Sequence, residues 1–249
     1  MPSKNSEKKK NIYENAAPIA KRKMVLFFLV DQSGSMDGTK IGAVNTAIRE
    51  VIPEIRKISN ANVDIHVAAL LFSNGFHWMH PEPLPVEDFY WEPVEADGMT
   101  DMGGAFAELA KKMGADGFLP RASSSVAPAI FLMSDGMPTD DHIGGLGALN
   151  HNPWFKHAIK VAVAIGNDAY IPVLEEFTGT SEAVIRTHTP EALKKMIRFV
   201  SVTSSRIGSR SQGYGSRGAS AKQEAMIQDI NEYLADNPDI DQDGADDWE

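Results

Sequence analysis

The stretch Val25-Leu26-Phe27-Phe28-Leu29-Val30-Asp31-Gln32-Ser33-Gly34-Ser35-Met36 decides the fold. Its first six residues are apolar without interruption, which predicts a strand buried on both faces, as in a parallel sheet. The polar cluster then sits where the strand ends, and open α/β sheets bind ligands at that carboxyl edge. Asp31, Ser33 and Ser35 put three oxygen side chains at alternate positions, with Gly34 relaxing the turn between the serines. Such donors suit a small hard cation such as Mg²⁺, which prefers octahedral oxygen coordination and keeps several waters. A Ser/Gly-rich turn with Asp31 capping the next helix would have the same composition. The reading therefore depends on what else the chain brings to this edge.

Two later segments bring more. Gly98-Met99-Thr100-Asp101-Met102-Gly103-Gly104-Ala105 is a Gly-bounded loop opening a helix, and Ile130-Phe131-Leu132-Met133-Ser134-Asp135-Gly136 is a second apolar strand ending in a carboxylate. In this order, D-x-S-x-S, G-x-T-x-x-G and S-D-G resemble the von Willebrand factor A family over roughly residues 24–200. The resemblance implies an α/β, Rossmann-like sandwich and a metal-ion-dependent adhesion site. In such a site Ser33, Ser35 and Thr100 ligate the ion through their hydroxyls. Asp31 and Asp135 act mainly through metal-bound water, orienting ligands and balancing charge. Mg²⁺ is the expected ion, with Mn²⁺ or Ca²⁺ as alternatives. Neutral hydroxyls neutralise little of the 2+ charge and leave one coordination position open. The expected partner is a protein presenting an Asp or Glu.

The run Ser134-Asp135-Gly136-Met137-Pro138-Thr139-Asp140 also resembles the bacterial TerY-type branch associated with tellurium resistance. That resemblance implies an adaptor working with a protein kinase and a phosphatase in stress or defence signalling. An adaptor subunit of a MoxR- or chelatase-type AAA+ ATPase is the alternative. A metal-assisted hydrolase is a third reading, and a weaker one. Ser33 lacks the G-x-S-x-G elbow of a serine nucleophile. A phosphotransferase built on Asp31 would want a second carboxylate where Ser33 stands. The chain is expected not to be an enzyme.

Composition narrows the setting. The chain has 249 residues, 43% hydrophobic and 23% charged, which suits one large globular domain with tails. It has no cysteine, which excludes disulfides and thiolate metal sites. A formal net charge of −10 argues against general nucleic-acid affinity. Residues 1–23 lack the apolar segment of a signal peptide, and the apolar run after them is too short to span a membrane. The expectation is a cytoplasmic protein with neither membrane nor nucleic acid as partner.

Four zones are expected. Residues 1–23, with Lys4, Lys8, Lys9, Lys10, Lys21, Arg22 and Lys23, form a basic flexible leader, and residues 24–200 form the folded domain. Residues 201–220 read as a Ser/Gly/Arg-rich flexible linker, and residues 221–249 as a short helix and acidic tail. Within the linker Ser204, Ser205, Ser209, Ser211, Ser216 and Ser220 alternate with arginines and are candidate phosphorylation sites.

Inside the domain, Ile41, Val44, Ile48, Val51, Ile52 and Ile55 have helical spacing, with a kink or break expected at Pro53. Strands are expected over 64–72, 76–79, 161–166 and 183–187, the last near an edge. Helices are expected over 105–113, 172–177 and 190–200, the last with Pro190 in its first turn. Alternating elements of this kind build a mostly parallel sheet covered by helices on both faces. His142, His151 and His157 read as lying in or near the loop after Asp135, and Trp78, Trp91 and Trp154 as packing near loops at the core edge.

Overall fold

A computed structural model of the chain describes residues 22–58, 63–114, 116–119, 125–210 and 216–240, with the side chains of 208–210 and 216–219 left aside. The expected basic leader, but for Arg22 and Lys23, and the acidic end from residue 241 lie outside the described residues.

Among the described residues seven strands form one sheet: β1 (Arg22–Asp31), β2 (Val63–Ser73), β3 (Gly75–Trp78), β4 (Leu84–Pro85), β5 (Ala129–Ser134), β6 (Ile159–Ile165) and β7 (Val184–Thr187). Their order is β3-β2-β1-β5-β6-β7, with β4 also pairing with β2. The pairs from β2 through β7 across β1, β5 and β6 are parallel, whereas β3 and β4 run antiparallel to β2. The helices are α1 (Thr39–Ile58), α2 (Met102–Lys112), α3 (His142–His151), α4 (Pro153–His157), α5 (Ile171–Thr178), α6 (Pro190–Arg210) and α7 (Ser216–Asp236).

The uninterrupted apolar run of β1 is explained by its central place. Met24, Leu26, Phe28 and Val30 face a core built with α1, α6 and α7, while Val25, Phe27 and Leu29 face one built with α2, α3, α4 and α5. Phe27 and Phe28 are both fully buried, on opposite faces. Each contributes roughly 1.5–3 kcal/mol by leaving water. The chain leaves β1 for β2 on one side and returns to β5 on the other. The crevice at the carboxyl ends of β1 and β5 is the switch point where such sheets bind ligands. Register fixes what meets there. Val30 pairs with Met133, so the next residues, Asp31 and Ser134, come side by side.

Three expectations are corrected. First, α1 runs unbroken through Pro53 to Ile58. Second, α6 continues to Arg210 and α7 begins at Ser216, so the expected linker is helical over most of its length. The folded body reaches Ile240, with Met226, Ile230 and Ile240 in the core. Small polar residues conceal this in the sequence. Ser204 and Ser205 are fully buried; Ser205 Oγ donates to Ser201 O at 2.7 Å, satisfying itself within the helix, while Ser204 Oγ lies 3.7 Å from Met226 Sδ of α7. Neither hydroxyl is open to a kinase, which corrects two of the candidate phosphorylation sites. Ser220 is exposed on α7, Ser211 lies outside the described residues, and the side chains of Ser209 and Ser216 are not described.

Third, His142 and His151 lie on α3, and His157 ends α4. The glycines that disguise α3 let it approach α2 closely: a Cβ on Gly145 would fall 2.2 Å from Gly103 O. Trp91, in a loop, and Trp154 pack against the core as expected. Trp91 Nε1 donates to Asn45 Oδ1 at 2.8 Å.

Candidate metal centre

The β1 loop is shaped by Asp31. Its Oδ1 accepts from Ser33 N at 2.8 Å and its Oδ2 from Ser134 Oγ at 2.5 Å. The first bond turns the chain back on the strand end, and a single 3₁₀ turn, Gly34–Met36, follows with Met36 fully buried. Ser33 is thereby held inward while Ser35 stays exposed. Their hydroxyls lie 3.2 Å apart, and Ser35 Oγ donates to Asp135 Oδ1 at 2.7 Å. Asp31, Ser33, Ser35 and Asp135 thus form one connected group across β1 and β5.

Thr100 arrives from a different element, the long loop of residues 86–101, and is held by more contacts than its sequence suggests. Asn45 on α1 accepts from Val94 N at 2.9 Å and donates to Val94 O at 2.8 Å. Gly34 N donates to Gly98 O at 3.0 Å, and Asp97 N to Gln32 O at 2.8 Å, tying this loop to the β1 loop. Gly98 has φ of +86°, a conformation side chains resist, and a Cβ there would strike Asn74. Thr139 then grips Thr100 itself: its N–H donates to Thr100 O and its Oγ1 accepts from Thr100 N, both at 3.0 Å. Asp140 accepts from Gly103 N at 2.8 Å and Gly104 N at 2.7 Å, capping α2. The Pro138-Thr139-Asp140 run is therefore a brace for the Thr100 loop.

The Thr100 side chain reaches the same crevice. A Cβ built on Gly136 would lie 3.1 Å from Thr100 Oγ1 and 3.4 Å from Asp31 Oδ2. Only the bare backbone of Gly136 leaves these two oxygens room.

Electrostatics sharpen the picture. Burial pushes the Asp31 carboxyl above the usual carboxylate range; donors from Ser134 and Ser33 pull it back in part, and the Asp135 charge pushes it up further. Lys40, in the first turn of α1, donates to Asp135 Oδ2 at 2.6 Å and to Asp168 Oδ1 at 3.2 Å. Burial works against the Lys40 ammonium, but its bonds to Asp135 and Asp168 outweigh that and hold its pKa above the ordinary value. Of the two buried carboxyls, Asp135 thus has a lysine on it, whereas Asp31 is held by Ser33 N and Ser134 Oγ.

The Ser33 and Ser35 hydroxyls, 3.2 Å apart and hydrogen-bonded to each other, are also close to the spacing of about 3.0 Å between neighbouring ligands of an octahedral Mg²⁺. Among the described residues no group of three His, Asp or Glu side chains forms a metal cage, so a cation here depends on hydroxyls. Asp31 is fully buried, although it stands at the strand end. Sequence reasoning passed over Lys40, Asn45 and Ser134. Asn45 left a signal, as a polar residue between Val44 and Ile48 on the buried face of α1.

No family model matches the sequence, and no curated protein matches it. Solved structures resemble the fold. A von Willebrand factor type A protein from Catenulispora acidiphila matches at TM-score 0.55 and 18% identity, over 73% of this chain and 42% of that one. VWA2, an ArnB paralog from Sulfolobus acidocaldarius, matches at TM-score 0.52 and 17% identity, over 73% and 45%. The chain has the fold of a von Willebrand factor A domain. Proximal thread matrix protein 1 from the mussel byssus, in a structure with a zinc-occupied MIDAS motif, matches this A-domain fold at TM-score 0.54 and 15% identity, over 75% and 50%. The chain spans half or less of the length of these three neighbours. No helix among the described residues is long and apolar enough to cross a membrane.

Proposed function

We propose that this A domain is a non-catalytic, divalent-cation-dependent protein-interaction module. Ser33, Ser35 and Thr100 would hold Mg²⁺, or Mn²⁺ or Ca²⁺ in its place, with Asp31 and Asp135 supporting it. When bound, the ion would offer an open, electrophilic position to an Asp or Glu of a partner protein. The observation carrying this reading is the pair of hydroxyls 3.2 Å apart beside two buried carboxyls, only one of which has a lysine on it.

The serines themselves favour binding over chemistry. Ser35 Oγ donates to Asp135, and Ser33 Oγ pairs with Ser35 Oγ. Among the described residues neither a histidine nor a lysine bonds either hydroxyl, and these are the usual bases that activate a serine nucleophile. The finer proposal is a TerY-type adaptor engaging a protein kinase and a phosphatase in the cytoplasm, supported by the Ser134–Asp140 motif. The test is affinity capture with the intact chain in Mg²⁺ and again in EDTA, with Thr100→Val as a control. A kinase, phosphatase or AAA+ ATPase retained only in Mg²⁺ distinguishes the partner classes. Capture of the same protein with undiminished yield in EDTA would rule the mechanism out.

A further inference from the structure

Among the described residues five large hydrophobic side chains are left exposed, and four of them belong to segments that surround the candidate centre. Met99 (56% exposed) precedes Thr100, and Met137 (59%) lies between Gly136 and the brace residue Thr139. Ile143 (72%) is in the first turn of α3, just after the α2-capping Asp140. Phe76 (43%) stands on β3 with its ring 3.2 Å from the Cβ position of Gly104, next to Asp140. Solvating four such groups at one edge is costly, and clusters of this kind mark interaction surfaces.

The backbones of Met99, Phe76 and Ile143 are fixed rather than loose. Met99 N donates to Asn74 Oδ1 at 2.9 Å, Phe76 pairs with Phe72 across the β2–β3 hairpin, and Asp141 caps α3 by accepting from Gly144 N at 3.0 Å. A surface held this way loses little conformational freedom on binding. The methionines add flexible, polarisable contact that adapts to differently shaped partners. The charges nearby are acidic: Asp97, Asp101, Asp140 and Asp141 flank the same loops. Beyond the cation and the Lys40 ammonium already bonded to Asp135, a run of acidic residues would face these carboxylates.

We propose that these four residues form an apolar rim that selects the partner segment: an extended stretch of another protein carrying one Asp or Glu with aliphatic or aromatic residues on either side. This rests on the carboxylate-binding reading above and adds the chemistry of the flanks. The carboxylate supplies the anchor, and the rim supplies discrimination against hydrophilic or polyacidic segments.

The test uses the full chain with Mg²⁺ and three synthetic peptides of equal length, each with a central Glu flanked by Leu, Ser or Asp. Binding is followed by fluorescence anisotropy, and metal uptake separately by calorimetry. The Leu-flanked peptide is expected to bind at least tenfold tighter than the Ser-flanked one, and the Asp-flanked one weakest. A Met99→Ser/Met137→Ser double variant should take up Mg²⁺ as the parent does while losing most of the Leu preference. Equal, metal-dependent binding of all three peptides overturns the rim and leaves the carboxylate reading standing. A Leu preference undiminished in the double variant also overturns it. Binding of no peptide, or binding unchanged by EDTA, defeats the carboxylate reading and the rim with it.

Discussion

Lys40 Nζ lies 2.6 Å from Asp135 Oδ2, on the carboxylate whose other oxygen accepts from Ser35. One aspartate is thus shared between an internal cation and the hydroxyl set. Lys40 reduces the negative charge available to a metal, so it opposes cation uptake while keeping Asp135 in place. Lys40→Met should therefore tighten Mg²⁺ binding by about threefold to tenfold, the scale of about 1 kcal/mol for a partly screened charge near a protein surface. Calorimetric titration of both proteins checks this; weaker binding in the variant would mean that holding Asp135 matters more than its charge.

Gly136→Ala probes the crevice from the other side. Its Cβ would press on Thr100 Oγ1 at 3.1 Å, displacing it by a few tenths of an ångström, and would touch Asp31 Oδ2 at 3.4 Å. Mg²⁺ affinity should fall by about tenfold, since ligand placement of this kind is exacting for that ion. The thermal midpoint of the metal-free protein should move by only a few degrees.

Asn45→Ala tests whether the Thr100 loop is positioned from afar. The substitution leaves Trp91 Nε1 and the Val94 N–H and C=O without their Asn45 partner. Stability should drop by about 2–4 kcal/mol, because the buried groups lose their bonds outright. Metal affinity should fall as well, although Asn45 touches none of the candidate ligands. Denaturant unfolding and calorimetry measure the two effects separately.

Lys222 on α7 gives a pH-dependent prediction remote from the centre. Burial, then the positive charge of Arg22, hold its amine below the ordinary value of 10.5. The fold therefore disfavours the charged form, and the penalty is fully present below the lowered pKa. It shrinks as pH rises through the lowered pKa towards 10.5. Lys222→Met should raise stability at pH 7 by about 1 kcal/mol, with the gain fading in alkali. Unfolding curves from pH 7 to 10.5 follow the trend.

Much of the fold was legible because β1 and β5 are apolar on both faces, a pattern few other elements produce. The same strands end in Asp31 and Ser134-Asp135, so the edge carrying the candidate site could be read with them. The helix α3 was not legible, since its glycines serve close packing against α2 and erase the apolar period. The far half of α6 was hidden for a related reason: buried Ser204 and Ser205 look like linker residues until α7 covers them. Lys40 and Asn45 act across ninety-five and forty-nine residues of sequence, respectively, and such separations leave no local pattern.

The central claim is that Ser33, Ser35 and Thr100 hold a divalent cation. Its most direct test is calorimetric titration of Mg²⁺ and Mn²⁺ into chain stripped with EDTA, for the parent, Ser35→Ala and Thr100→Val. One ion per chain is expected for the parent, with at least tenfold weaker binding in each variant and an unchanged thermal midpoint for Ser35→Ala without metal. Equal affinity in all three proteins, or no binding to the parent at millimolar metal, would contradict the account.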